Sequence, residues 1–275
     1  MNPAILDFVE FSLTGLCVGA LYALTGIGFV VVYKATRIIN FAIGEFMMIG
    51  AYFFFSLAAQ AALPNWAAII LALIAAGTVG GFLERFIFRR LIGESAISVF
   101  MVTIGLASIM VGLVEIAWTA DPRSLPTFLP DQPFFVPLGS SEAFLASKNG
   151  WSFIIVAGVM AAFITVFRFW RGGIALRATA ADQQAAYSVG INVPGVFSFA
   201  WILGAITAAA AGILVGSISG ISSAMGAIGL FGGGQGEQAF RSFMMDAFAT
   251  QITKSGGIGV AASVQKEMLK MQGLS

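Results

Sequence analysis

The sequence predicts an all-α membrane protein: a polytopic bundle of about six spans followed by a short amphipathic helical tail. Three observations carry that prediction. Of 275 residues, 59% are hydrophobic and only 10% are charged, whereas a soluble domain has roughly a quarter of its residues charged. A chain this apolar, with mean hydropathy +0.93, cannot cover a water-facing surface. Apolar segments close to the roughly 20 helical residues needed to cross a hydrocarbon core recur along the chain. Basic residues gather in alternate connections between those segments, as they do in polytopic membrane proteins.

The first span covers residues 11–33, between Glu10 and Lys34, with no charge inside it. Gly15 and Gly19 form a GxxxG there, and small residues on a lipid-buried helix let another backbone approach closely. Lys34 and Arg37 mark a short basic turn. The second span, residues 38–60, contains Asn40, Glu45 and Gly50. A carboxylate inside a span costs roughly 2.5–3.5 kcal/mol on insertion scales, so it faces the bundle or water. Two readings of Glu45 stand at this point. It pairs with Arg37 or another basic residue near the end of the span, or it lines a solute pathway as a gate, with Asn40 and Gly50 as its companions.

Leu63, Pro64 and Asn65 form a turn into the third span, residues 66–84, which carries Gly77, Gly80 and Gly81 and ends in the cluster Glu84, Arg85, Arg89, Arg90, Glu94. The fourth span covers residues 96–118, with Glu115 expected at the interface. Residues 119–150 hold Pro122, Pro126, Pro130, Pro133 and Pro137. That density of prolines predicts an ordered cap or an irregular surface loop rather than a helix. The fifth span is residues 151–167 and the sixth residues 198–217, the latter with Gly212 and Gly216 at close-packing spacing. Gly77 and Gly81 are expected to act in the same way.

Between the last two spans lies an amphipathic stretch, residues 167–197, with Arg168, Arg171, Arg177 and Asp182. The connections with Lys34 and Arg37, with Arg85, Arg89 and Arg90, and with Arg168, Arg171 and Arg177 alternate with poorly basic ones. The positive-inside rule therefore places this stretch in the cytoplasm and the N-terminus and proline-rich loop outside. From Phe231 the character changes. Gly232 to Gly234 open a polar segment in which Phe240, Phe243, Met244, Phe248 and Ile252 share one helical stripe. Val260, Val264, Met268 and Met271 outline a second amphipathic helix. The expected domains are residues 1–230 and 231–275.

Composition also excludes. A net charge of +1 gives no electrostatic case for nucleic acid. There is no histidine, the commonest general base and metal ligand, and Cys17 is the one cysteine, so neither a disulfide framework nor a metal cluster is expected. No cofactor is expected either. Residues 232–236 lack the Lys-Ser/Thr pair of a phosphate-binding loop. Residues 1–11 carry Asp7 and Glu10 with no basic start, so no cleavable signal peptide is expected. An intramembrane enzyme has little support.

Three blocks, INFAIGEFMMIGAY from Ile39, RRLIGESAISVFMVTIGLASIM from Arg89, and ALRATAADQQAAYSVGINVPGVFSFAWILGAITAAAAGIL from Ala175, resemble the branched-chain amino acid permeases of ABC importers, with urea permeases as close relatives. The resemblance implies a helical bundle that does no chemistry. It pairs with a second permease subunit and works with two cytoplasmic ATPase subunits, a periplasmic binding protein and a small neutral solute. Such permeases share a cytoplasmic EAA-x3-G loop that docks on the ATPase. The matching residues are Gln184, Ala185, Ala186 and Gly190, with Gln184 at the Glu position, Asp182 two residues earlier, and Arg177 and Pro194 to either side. Two alanines suit a short helix lying flush in a groove, Gly190 ends that helix, and Pro194 sets the return to the membrane.

Family members continue with further spans beyond the region of Gly220. Here residues 232–273 instead resemble the C-terminal part of the flagellar rod-binding protein, most distinctly in SGGIGVAASVQKEML. That gives a second functional reading, a membrane-anchored scaffold whose tail binds flagellar rod components, with the bundle as anchor. The expected location is the bacterial inner membrane.

Overall fold

The computed structural model describes residues 3–91, 94–138 and 141–226. The chain divides into two compact units, residues 1–230 and 231–275. The two amphipathic helices expected in the tail lie outside the described residues.

The element order is α1 (Pro3–Thr36), α2 (Ile43–Phe55) continued by a π-helical turn (Ser56–Gln60), α3 (Asn65–Phe86) followed by a 3-10 turn (Phe88–Leu91), α4 (Ala96–Trp118), strands β1 (Phe134–Leu138) and β2 (Ser141–Leu145), α5 (Ser147–Phe169), α6 (Arg171–Ala181), α7 (Gln183–Ser188) and α8 (Val193–Ser219). Six helices are long and apolar enough to cross a membrane: Ile5–Thr36, Ile43–Gln60, Asn65–Leu91, Ile97–Trp118, Ser147–Phe169 and Val193–Ser219. These are the six expected segments, with ends shifted by several residues.

Local chemistry explains several helix ends. The Ser95 hydroxyl caps α4 by accepting from the Ser98 amide at 3.2 Å, and the Asn192 side chain caps α8 by accepting from the Gly195 amide at 3.1 Å. Each satisfies an orphan donor of a first turn. α8 stops at Gly220, whose φ of 82° is open to glycine at no steric cost. α1 stops at Arg37, which takes up φ 60°.

The proline-rich connection is not irregular throughout. β1 and β2 form an antiparallel hairpin, with Phe135 opposite Phe144 and Val136 opposite Ala143. Alternation explains it: Ala143 and Leu145 are buried while Phe135 and Phe144 are exposed, the period-2 pattern of a half-covered sheet. Pro137 is tolerated because a two-stranded sheet consists only of edges.

Hydrogen bonds sort the connections into two ends. At one, Arg37 donates to the Ala180 carbonyl at 3.0 Å, the Gln183 amide group to the Ala35 carbonyl at 3.2 Å, and Arg89 to the Pro194 carbonyl at 3.2 Å. At the other, Trp118 donates to Ser56 at 2.6 Å, Asn65 to the Thr127 carbonyl at 3.1 Å, and the Phe144 amide to Glu10 at 2.7 Å; Arg123 bridges to Ile221. Three of the basic connections thus share one end.

α8 is the most buried span and α5 the least. α8 packs along α1, α2 and α3, and small residues make each approach possible. A methyl group added at Gly28 would lie 2.6 Å from Thr207 Oγ1 and 2.9 Å from the Gly204 carbonyl oxygen. One at Gly80 would lie 2.6 Å from Ala205 Cβ. Gly77 and Gly81 face Ile206 and Ile202, and Gly212 abuts the Met47 backbone. Gly216 packs on Ile221 and Leu125, residues of connections rather than of a helix. Gly15 and Gly19 differ. A Cβ there meets nothing within 4 Å, so among the described residues nothing packs on the face expected of this GxxxG. That side of α1 is turned outward.

Candidate functional site

The amphipathic stretch between α5 and α8 is two helices set at a corner. Asp182 breaks them. Its backbone is extended, with φ −151° and ψ 115°, and its carboxylate accepts from the amides of Gln184 and Ala185 at 2.8 and 3.0 Å. Its role here is to cap α7, an acidic residue against the positive end of a helix. α7 ends at Ser188. Gly190 then takes φ 87°, and the Ile191 amide returns to the Ala186 carbonyl at 3.0 Å. Pro194 stands in the first turn of α8, where its missing N–H costs nothing.

The two alanines of α7 lie on different faces. Ala186 is buried in a small cluster with Val31, Ala35, Leu176, Val193, Val196, Phe197 and Ala200. Ala185 and Gln184 are exposed. Ala186 therefore seats α7 on its own bundle and does not face out into a groove. Arg177 is likewise engaged inside the chain: it donates to the carbonyls of Phe167 and Arg168 and lies over the Phe167 ring. A cation at the carbonyl end of a helix is favourable, so Arg177 closes α5.

The sequence reading missed what α7 presents to its surroundings. Tyr187 is 72% exposed and Val189 77% exposed, two large apolar groups on a short, firmly held, otherwise polar element. The available signal was a Tyr and a Val within three residues of the helix-ending glycine. It also missed what holds the base of α8. Glu84, 1% exposed, accepts from Arg89 Nε and Nη2 at 3.0 Å each. Ser198 donates to Glu84 at 2.6 Å and accepts from Arg89 at 2.7 Å. The sequence showed only a charged cluster.

The chain matches the family described as branched-chain amino acid transport system, permease component, over residues 11–241. It belongs to this family. Among curated relatives it is similar to the high-affinity branched-chain amino acid transport system permease protein LivH of Salmonella typhimurium, 32% identical over 232 residues that span 80% of this chain and 74% of the relative. It is 30% identical to LivH of Escherichia coli K12 over the same coverage, and 29% identical over 227 residues to BraD of Pseudomonas aeruginosa. Residues 223–267 match a second family, described as rod binding protein. No solved structure matches the chain significantly. The protein is a multi-pass membrane protein whose relatives are transport permeases, not enzymes.

In this permease-family chain the pathway candidates Asn40 and Glu45 flank the start of α2. Asn40 is 1% exposed; its Oδ1 accepts from the Ala42 amide at 3.0 Å, and its Nδ2 has no partner. Glu45 is 7% exposed, with Oε2 unpartnered. The expected pairing of Glu45 with Arg37 is not made, because Arg37 is held by α6 at Ala180. Among the described residues the ion pair is Glu84–Arg89, at 3.0 Å. Gly50, the third candidate, lies in the middle of α2. A Cβ there would lie 2.5 Å from Ala209 Cα, so Gly50 marks a close approach of α2 and α8. Tyr52, two turns beyond Glu45 on the same side of α2, is buried with an unpartnered hydroxyl.

Proposed function

We propose that this chain is a permease subunit of an ABC importer for branched-chain amino acids or related small neutral solutes, in the bacterial inner membrane with its N-terminus outside. It pairs with a second permease subunit, and its α6–α7 corner docks on one of two cytoplasmic ATPase subunits. A periplasmic binding protein delivers the solute. The observation that carries the docking reading is the presentation of α7. Ala186 and the Gln183 hydrogen bond fix it from behind, the Arg37 bond to Ala180 holds the end of α6 before it, and Tyr187 and Val189 project from its outer side. Apolar anchors on a rigid mount are what a partner groove takes up at low entropic cost. Tyr187, Val189, Gln184, Ala185 and Gly190 form the contact; Asp182, Ala186, Arg177 and Pro194 hold it in place. Asn40, just before α2, and Glu45, in its first turn, are buried and each keeps one hydrogen-bonding atom unpartnered (Asn40 Nδ2 and Glu45 Oε2); these are the pathway contacts.

Gly190→Asp tests the docking. A Cβ at Gly190 meets nothing within 4 Å, and Asp is among the few residues that enter the left-handed region, so the strain at φ 87° stays in this turn and the spans keep their packing. The expected result is normal membrane insertion with loss of ATPase co-purification. Normal retention of the ATPases would overturn the docking assignment. Labelling of a cysteine at Gln184 from the periplasm would overturn the orientation.

A further inference from the structure

We propose that the Glu84–Arg89–Ser198 cluster is a transmission strut, with Arg89 as a positioning residue that makes α3 follow the docking corner. The inference rests on the docking reading above. The cluster is a closed circuit across two elements. Arg89 lies in the 3-10 turn that follows α3, and its guanidinium grips both oxygens of Glu84 from the last turns of that helix. The same Nη2 reaches the Pro194 carbonyl and the Ser198 hydroxyl in the first turns of α8. Ser198 completes the circuit by donating to Glu84. Charge-assisted and bidentate hydrogen bonds of this kind are short and directional, and Arg provides the planar fork that Lys lacks.

Little slack separates α7 from this circuit. Val189 donates to Ala185 at 3.2 Å, Gly190 to Tyr187 at 3.0 Å, Ile191 to Ala186 at 3.0 Å and Val193 to Ile191 at 2.9 Å. The connection is hydrogen-bonded nearly residue by residue up to the first turn of α8. Beside the polar circuit, the Phe88 ring stacks on Trp201 with centroids 4.0 Å apart, and both are 1% exposed. Gly80 then lets α3 lie against the Trp201 carbonyl. From Gly80 to Arg89, α3 is joined to α8 by packing and by charge. A push on Tyr187 or Val189 therefore moves the base of α8 and the end of α3 together.

The test uses the whole importer in proteoliposomes: this chain, the second permease, the ATPase pair and the binding protein. It reads solute taken up per ATP hydrolysed. Ser198→Ala removes one hydroxyl, and Arg89→Lys keeps the charge and loses the fork. Both are expected to keep ATPase co-purification and to hydrolyse ATP within about twofold of the parent, while uptake per ATP falls at least fivefold. Ser198→Thr, which keeps the hydroxyl, is expected to restore the ratio. A brace that only stabilises the fold would lower uptake and hydrolysis together and leave the ratio unchanged; that result, or an unchanged ratio at full activity, overturns the strut. If the unmodified chain fails to retain the ATPases, it is the docking reading that falls, and the strut with it.

Discussion

Replacing Gly212 by alanine should force α2 and α8 apart. The added methyl would land on the Met47 carbonyl oxygen, with the carbonyl carbon 2.6 Å and Cα 2.8 Å away. Ordinary carbon–oxygen approach is about 3.3 Å or more, so the helices must separate by on the order of 1 Å. The obstructing atoms are backbone, and no rotamer relieves them. Gly50 and Ala209 meet at the same crossing, so separation also opens that contact. Overpacking in a well-filled core costs about 1–3 kcal/mol; with two contacts disturbed we take the upper end. Alanine returns about 1 kcal/mol of helix propensity. The net loss is then about 2 kcal/mol, or a fall in Tm of about 4–8 °C for a chain of this size. The assay is thermal unfolding of the detergent-purified chain, followed by the fluorescence of its buried Trp201. Gly15→Ala is the control. A methyl there meets nothing within 4 Å, so Tm should hold or rise slightly. A Gly212→Ala protein that melts no lower than the parent, or a Gly15→Ala protein that falls as far, would refute the reasoning.

Further outcomes follow from the same structure. Arg89→Ala leaves the buried Glu84 carboxylate without its cation, though Ser198 still donates to it, and should cost about 3 kcal/mol, the lower end for a broken buried pair, because the Arg89 side chain is 33% exposed; a Tm drop of under 2 °C would contradict this. Asp182→Ala removes the acceptor of two α7 amides and about 1 kcal/mol of capping, so hydrogen exchange at Gln184 and Ala185 should speed up about fivefold, with α8 unchanged. Equal exchange in both proteins would show that α7 does not depend on its cap. Glu45→Gln replaces a buried carboxyl whose Oε2 has no hydrogen-bond partner by a neutral group of the same shape, so Tm should hold or rise while uptake by the assembled importer falls at least tenfold. A lower Tm with full uptake would make Glu45 a structural residue.

The spans were legible because hydropathy and length alone decide whether a helix sits in lipid. The side of each helix that meets a neighbour was not. A lipid tail is as apolar as a leucine, so Gly15 and Gly212 look alike in sequence although one faces outward and the other touches Met47. The stretch between α5 and α8 was legible as a motif, and Gly190 by its residue type. Its corner was hidden because Asp182 reads equally well as a surface charge or as a cap. The Glu84 circuit was hidden because its partner Ser198 lies more than a hundred residues away, and nothing local marks a serine in a span as special. The hairpin was obscured by its prolines, which argue against a central strand but allow an edge.

α1 holds 34 residues, about 51 Å of helix at 1.5 Å per residue, against a hydrocarbon layer of about 30 Å. Tilting cannot hide the excess, since membrane helices seldom lean beyond about 40°. Part of α1 must therefore stand clear of the hydrocarbon like a mast, among the headgroups or beyond them, and Asp7 and Glu10 near its tip are suited to that wet surrounding. The hairpin is moored to that mast through the bond from the Phe144 amide to Glu10. A thicker bilayer would submerge more of the mast, and the mooring at Glu10 would be the first part of the cap to feel it.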